Sequence, residues 1–486
     1  MVNKIIFLIL AAGVSAQAQT KKTVTLSQKS VAELVLKQGL TALEVNLQYQ
    51  QYRLAPAQAL SAYDWKVTAE SGFEYDKSTS LLSSGTTYPR NKYERYITSL
   101  QLAKPFTTGT ILGLQLNRLS QDAEYDAFVT NPPTSRQTLD TFGLTLEQSL
   151  LGNFFGNADR ATVNAADLTY QANSVARADQ LEDVVLQAIR QFWNTYVAQE
   201  SFKEAVNSRD RYQKLVDAVR RKTSLGYSNP GDLPQVQAEF ETREQKVKTS
   251  SAEYLANMEN LLTLLNMESD TEVLFDVPKV IPPVPKLTEK KVDDLRLIRS
   301  QKLKVEAARE SLSAAESQSY PTLNFVGRLN TTGADESAEN SYSDVVAGSY
   351  PKYYAGLKFV YNFGSDIQTE TIINRKLTRE LEEARLRRQL MQSSDGEMQA
   401  QRKVEAAYAV AVSSEKQKSF RERASQELNR SYTQGRTDIS ILITAMNNFF
   451  DAEVQYVRAV GDYAIALNEW AAVRDELIPD DSAKTE

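Results

Sequence analysis

The chain has 486 residues, a formal net charge of −6, and neither cysteine nor histidine. The missing side chains exclude a thiol nucleophile, a disulfide framework, a Cys/His zinc site and a Ser-His-Asp relay. The mild acidity excludes the basic face that nucleic acid needs. No carboxylate spacing marks a metal site, no phosphate-binding glycine motif is present, and no cofactor or catalytic residue is expected.

The first residues read as a secretory signal. Lys4 is followed by the apolar run Ile5–Val14, and cleavage is expected after Ala16 or Ala18, so 1–18 is a signal peptide. No later stretch is apolar for about eighteen residues, so any membrane crossing must be made by strands. Leu26–Ala62 is helical in character, with Val31, Leu34, Val35 and Leu43 near helical spacing. Pro56 is expected to kink or interrupt it. Trp65–Tyr75 then changes period. Trp65, Val67, Ala69, Phe73 and Tyr75 fall on one face, and Lys66, Thr68, Glu70 and Glu74 on the other, as in a half-buried strand. Tyr96–Lys104, Thr110–Leu119 and Leu139–Glu147 are further strands, the first two joined as a hairpin. Lys77–Lys92 and Ser120–Arg136 read as polar loops.

A long helix is expected over 156–225, with a seam of Val185, Ala188, Ile189, Phe192, Tyr196 and Val197. The chain turns at Tyr227–Pro230 and returns as a helix over 232–267. The segment 276–286 is a proline-rich linker. The second half replays the first. A helix over 287–319 stops before Pro321, and strands lie within 322–363 around a polar loop, Thr331–Ser349. A long helix spans 364–434, a return helix spans 438–477, and 479–486 is a tail. Gly156 to Gly226 and Gly364 to Gly435 are nearly equal intervals, the mark of an internal repeat. The first repeat is 19–275, with strands within about 65–148, and the second is 287–478.

Each long helix would reach about 100 Å, which requires an elongated fold. The strands have the length that spans an outer membrane when tilted. A few strands cannot leave open edges in lipid, so closure demands several copies arranged cyclically. The expected fold class is an α+β membrane protein, a transmembrane β-barrel continued by a coiled-coil helical barrel. The alternatives are a periplasmic coiled-coil adaptor, with one hairpin between compact β domains, and a soluble exported scaffold.

Several stretches resemble the TolC-like outer-membrane efflux proteins. Ser431–Thr437 with Asp438–Leu442, and Asn447–Gln455 after it, resembles that family's second hairpin tip and returning helix. Ser224–Tyr227 with Asp232-Leu233 resembles the first tip. Ser317–Leu323 and Phe363-Gly364 resemble its entry to and exit from the barrel strands. The resemblance implies a homotrimer in outer-membrane lipid with a periplasmic extension. It implies a passive exit duct for efflux or type I secretion, serving a periplasmic adaptor and an inner-membrane transporter. It places adaptor docking at Leu225, Gly226, Gln434 and Gly435, and a periplasmic gate at Asp232, Tyr432 and Arg436. Asp232, placed after Pro230-Gly231, also suits a helix N-cap. Where the family often carries an aspartate ring, the aligned positions are Ser440 and Ile443, with Asp438 nearby on another helical phase. The constriction is therefore expected to be less charged. The hairpin Tyr96–Leu119 is extra to the family pattern, which leaves twelve or eighteen strands per trimer open.

Overall fold

The computed structural model describes residues 23–77, 79–81, 87–125, 136–278, 280–286, 290–364 and 366–478. The signal peptide and the tail called from the sequence lie outside them. The chain divides into two compact units, each drawn from both halves of the sequence. One comprises 1–46, 178–290 and 394–486, and the other 47–177 and 291–393.

The second of these units is built on one antiparallel sheet. Its main strands are β2 (Lys66–Asp76), β4 (Thr87–Pro105), β5 (Thr110–Tyr125), β6 (Arg136–Ser149), β8 (Thr322–Asp335) and β9 (Pro351–Val360), and a short β3 (Thr79–Leu81) pairs with β4. The main strands lie side by side in that order, so β2 and β9 are the outer strands. The register puts Val67, Leu102, Leu114, Leu144, Leu329 and Tyr353 in one continuous row. The adjacent row on the opposite face reads Thr68, Gln101, Gln115, Gly143, Asn330 and Lys352. Alternation in each strand, held in register by the ladder, therefore makes one apolar and one polar surface. The apolar surface is open: Val67 is 65% and Leu144 41% exposed.

Three features depart from the sequence reading. The segment Thr331–Ser349 is not all loop: β8 runs to Asp335 and α7 (Ala338–Ala347) follows. Ser341 of α7 is fully buried, accepts from the Asp140 amide and donates to the Gly333 carbonyl. The strands β4 and β5 continue into the stretches read as loops. The N-terminal helix is three, α1 (Gln28–Gln38), α2 (Leu40–Tyr52) and α3 (Leu54–Ser61). The break falls before Pro56, which sits in the first turn of α3, where its missing amide costs no helical bond.

The remaining helices of this unit are α6 (Arg296–Ser319) and parts of two long ones, α4 (Asn157–Ser224) and α8 (Asp366–Thr433). Each long helix has 68 residues. Neither contains proline, and only Gly396 interrupts the two sequences with a glycine. The strand-to-helix junction before α4 is tightly wound. Asn153 holds a left-handed φ and its side chain caps the helix by accepting from the Asp159 amide. Gly156, at φ +77°, lies against the β4–β5 turn.

The other unit joins the rest of α4 and α8 to α5 (Asp232–Leu264) and α9 (Ile439–Val473). A two-stranded parallel sheet, β1 (Thr23–Leu26) with β7 (Glu272–Phe275), was not foreseen because each strand is only four residues long. It closes a core of Leu26, Val31, Val35, Val185, Ile189, Phe192 and Leu261. Among the described residues, no helix is long and apolar enough to cross a membrane.

Candidate functional site: the two hairpin tips

The turns α4–α5 and α8–α9 close in the same way. In the first, Gly226 takes φ +75°, its amide donates to the Thr223 carbonyl, and the Tyr227 amide donates to Lys222. In the second, Gly435 takes φ +75°, its amide donates to Tyr432, and the Arg436 amide donates to Ser431. These are paired Schellman caps, which need a left-handed residue at the position after the cap. A side chain at either glycine would meet nothing within 4 Å. Backbone angle alone, rather than close approach within the chain, therefore selects glycine. Beside Gly226, Leu225 and Tyr227 are 69% and 80% exposed. Gln434 is also exposed.

Behind the tips lies an apolar plug of Tyr212, Val216, Val219, Val236, Tyr432, Ile439, Leu442, Ile443 and Met446. Ile443, a candidate constriction residue, is thus in the core and faces no solvent. It shares the buried stripe of Ile439, Leu442 and Met446, set by helical spacing. Ser440 is exposed and exchanges hydrogen bonds with Gln235 of α5 at 3.3 and 3.4 Å. Asp438 is the N-cap of α9, accepting from the Ser440 amide at 2.8 Å.

The gate candidates occupy separate niches in one chain. Asp232 opens α5 and turns back, accepting from Ser228 Oγ at 2.9 Å and the Asn229 amide at 3.1 Å. Tyr432 is 6% exposed in the plug. Burial pushes its phenol pKa up, and the charges of Asp232 and Asp438 add to the rise. Arg436 is exposed, and no ion pair joins it to Asp232 among the described residues.

A residue that the sequence reading passed over joins the two tips. Lys222 Nζ donates to the Tyr432 carbonyl at 2.8 Å and lies 4.1 Å from the centroid of its ring. A charged hydrogen bond plus a partly exposed cation–π contact is worth about 1–2 kcal/mol. Lys222→Ala should therefore speed amide exchange across 431–436 by roughly tenfold, since about 1.4 kcal/mol of local opening energy is a factor of ten. Unchanged exchange there would show that Lys222 does not hold the second tip.

Polar groups also interrupt the helical seam above the plug. Tyr212 donates to Asn447 Oδ1 at 2.5 Å, and Arg243 donates to the same atom at 2.6 Å while lying over Phe450. Glu453, with a side chain 6% exposed, accepts from Arg211 at 2.6 Å. Burial pushes the Glu453 carboxyl up to about 7 despite Arg211, with Glu204 adding to the rise. The native state therefore holds this proton more tightly than the unfolded chain. Its contribution to stability is full below the ordinary glutamate range and is lost as pH rises through 7, on the order of 3 kcal/mol in all. The melting temperature should fall from pH 5 to pH 8 more steeply in the native sequence than in Glu453→Gln. Parallel curves would contradict this.

Comparison with known proteins places the fold. No protein-family model matches the chain. A stretch of 171 residues is 23% identical to the cobalt-zinc-cadmium resistance protein CzcC of Cupriavidus metallidurans, covering 35% of this chain and 41% of that protein. The chain thus matches less than half the length of this relative. Among solved structures, the outer-membrane channel OprN superposes with a TM-score of 0.69 at 14% identity, covering 92% of this chain and 90% of that one. The MtrE outer membrane channel of Neisseria gonorrhoeae gives 0.68 at 15%, covering 93% and 89%. The CmeC outer membrane channel of Campylobacter jejuni gives 0.66 at 13%, covering 92% and 86%. The chain has the fold of these outer-membrane channels.

Proposed function

We propose that three copies of this chain form an outer-membrane exit duct with a periplasmic helical barrel. The duct passively serves a periplasmic adaptor and an inner-membrane transporter. One observation carries the reading: a sheet with one apolar and one polar surface whose outer strands, β2 and β9, have no further neighbour in the described chain. Such a surface suits lipid on one side and a water-filled bore on the other, and lipid does not tolerate its open edges. Exposed aromatics cluster toward the two ends of the sheet. Trp65, Tyr320, Tyr361 and Phe363 lie at the helical end, and Tyr75, Tyr96, Tyr342 and Tyr350 at the other. They would serve as interfacial girdles. On α8, Ile373, Leu377 and Leu381 form an exposed stripe at four-residue spacing that suits packing against another copy.

In this reading the adaptor meets the tips at Leu225, Gly226, Gln434 and Gly435. The gate is a link between Asp232 of one copy and Tyr432 and Arg436 of a neighbour. An exposed Asp–Arg pair is worth about 0–1 kcal/mol, a latch weak enough for a partner to open. Ser440 and Asp438 border the constriction, joined by the exposed Ile441 and Thr444. The narrowest ring is then largely uncharged. Liposomes carrying the protein should swell in isotonic small sugars, and absence of swelling with verified insertion would overturn the duct. In planar bilayers, Asp232→Ala with Arg436→Ala should raise the closed-state conductance. An unchanged value would remove the latch and leave the duct.

A further inference from the structure

We propose that the hairpin β4–β5 is part of the membrane wall, so that each copy contributes six strands and a trimer closes as an eighteen-stranded barrel through β2 of one copy and β9 of the next. This deepens the duct reading above and rests on it. The hairpin does not project from the sheet. β4 pairs with β2 along the whole of Lys66–Asp76, and β5 pairs with β6 from Thr110 to Asp122. Its residues obey the same two-sided code as their neighbours. Leu102 and Leu114 continue the apolar row of Val67, Leu144 and Leu329, while Gln101 and Gln115 continue the polar row. Leu102 and Leu114 are half-buried, and the next pair on that face, Leu100 with Leu116, is exposed. A hairpin placed in water as a decoration has no need of leucine rows aligned with the wall.

The ends of the hairpin are tied in as well. Its turn is held by the Ser149 amide donating to the Gly109 carbonyl at 3.0 Å and by Gln148 Nε2 donating to the Thr108 carbonyl at 3.0 Å. Farther along β5, Arg118 would place a charge on the apolar surface. It is paired to Asp140 at 2.8 Å, and α7 lies over this pair through Ser341 and the Ala338 carbonyl. The carboxylate of the pair is thereby buried, the Arg118 side chain stays 43% exposed with its charge paired, and Leu100, Leu116 and Leu144 nearby stay open.

Closure between copies follows from parity and length. Six antiparallel strands end with β9 running opposite to β2, so a neighbour's β2 meets β9 antiparallel. The two edges match in length, with 11 residues in β2 and 10 in β9. Both are long enough for a tilted crossing. Barrel diameter grows roughly linearly with strand number, so this bore would be about 1.5 times as wide as one of twelve strands.

The absence of cysteine makes single labels clean. A nitroxide is attached at Leu114→Cys or Gln115→Cys of β5 in the full-length protein in lipid bilayers. Leu144→Cys and Thr145→Cys of β6 serve as references, and Leu102→Cys and Gln101→Cys as a second pair in case a β5 variant fails to assemble. Expected are oxygen-accessible labels at 102, 114 and 144 and nickel-chelate-accessible labels at 101, 115 and 145. Double variants carrying cysteine at Ala69 or Ser71 with Ala355 or Leu357 should oxidise into covalent trimers in at least one combination. If 144 is lipid-exposed while 102 and 114 are aqueous, the wall excludes the hairpin and the proposal falls, though the duct stands. If 144 is aqueous too, the duct reading itself falls.

Discussion

Leu144→Arg should prevent stable insertion, whereas Thr145→Arg, one residue along the same strand, should assemble normally. Leu144 lies in the apolar row, and Thr145 lies on the polar surface, in register with Gly113 and Arg328. An arginine facing lipid near the bilayer midplane costs about 2–4 kcal/mol per copy, falling to near zero at the interfaces. In a cyclic assembly the cost recurs in every copy. The expected readout is at least a tenfold loss of heat-resistant oligomer for Leu144→Arg on a detergent gel, with Thr145→Arg within twofold of the parent. Equal losses would mean that the two surfaces do not face different solvents.

The second large effect is at Gly156. Gly156 and Gly364 both hold left-handed angles, φ +77° and +72°, near the starts of α4 and α8. They differ in space. A Cβ on Gly156 would lie 1.9 Å from the Thr107 carbonyl oxygen and 2.6 Å from the Gly109 amide nitrogen, both backbone atoms, while one on Gly364 meets nothing within 4 Å. Gly364→Ala should therefore cost only the angle, about 1–2 kcal/mol. Gly156→Ala must also displace the β4–β5 turn, so the total should reach roughly 3–5 kcal/mol. Denaturant melts in detergent should separate the two variants clearly. Similar midpoints would show that the turn yields freely and that the junction is not tightly packed.

The sheet was legible where its two surfaces differ. Val67 to Tyr75 and Tyr353 to Phe359 alternate between an apolar and a polar surface of the sheet. Legibility ended where that contrast ends. Lys92, Glu94 and Arg95 are polar whichever way they point, yet the ladder continues through them, with Lys92 on Glu94 at 2.9 Å and Arg95 on Glu74 at 3.3 Å. The helix α7 was hidden because its buried contact is a serine, which reads as loop. At the tips, Gly226 and Gly435 were visible as punctuation, and the Schellman geometry supplies the reason. Lys222 was not visible, since a lysine four residues before a turn reads as a solvated charge. Ile443 shows the opposite error. Its motif alignment suggested a lining residue, but the spacing of Ile439, Leu442, Ile443 and Met446 already marked a core stripe. The helical period was the better guide there.

The most direct test of the account is electron cryo-microscopy of the full-length protein in lipid nanodiscs. The expected reconstruction has three copies about one axis, the row from Val67 to Tyr353 facing lipid, β2 of each copy paired with β9 of the next, and a continuous aqueous bore narrowing at Gly226 and Gly435. A monomer, or an assembly whose leucine row is buried away from lipid, would contradict it.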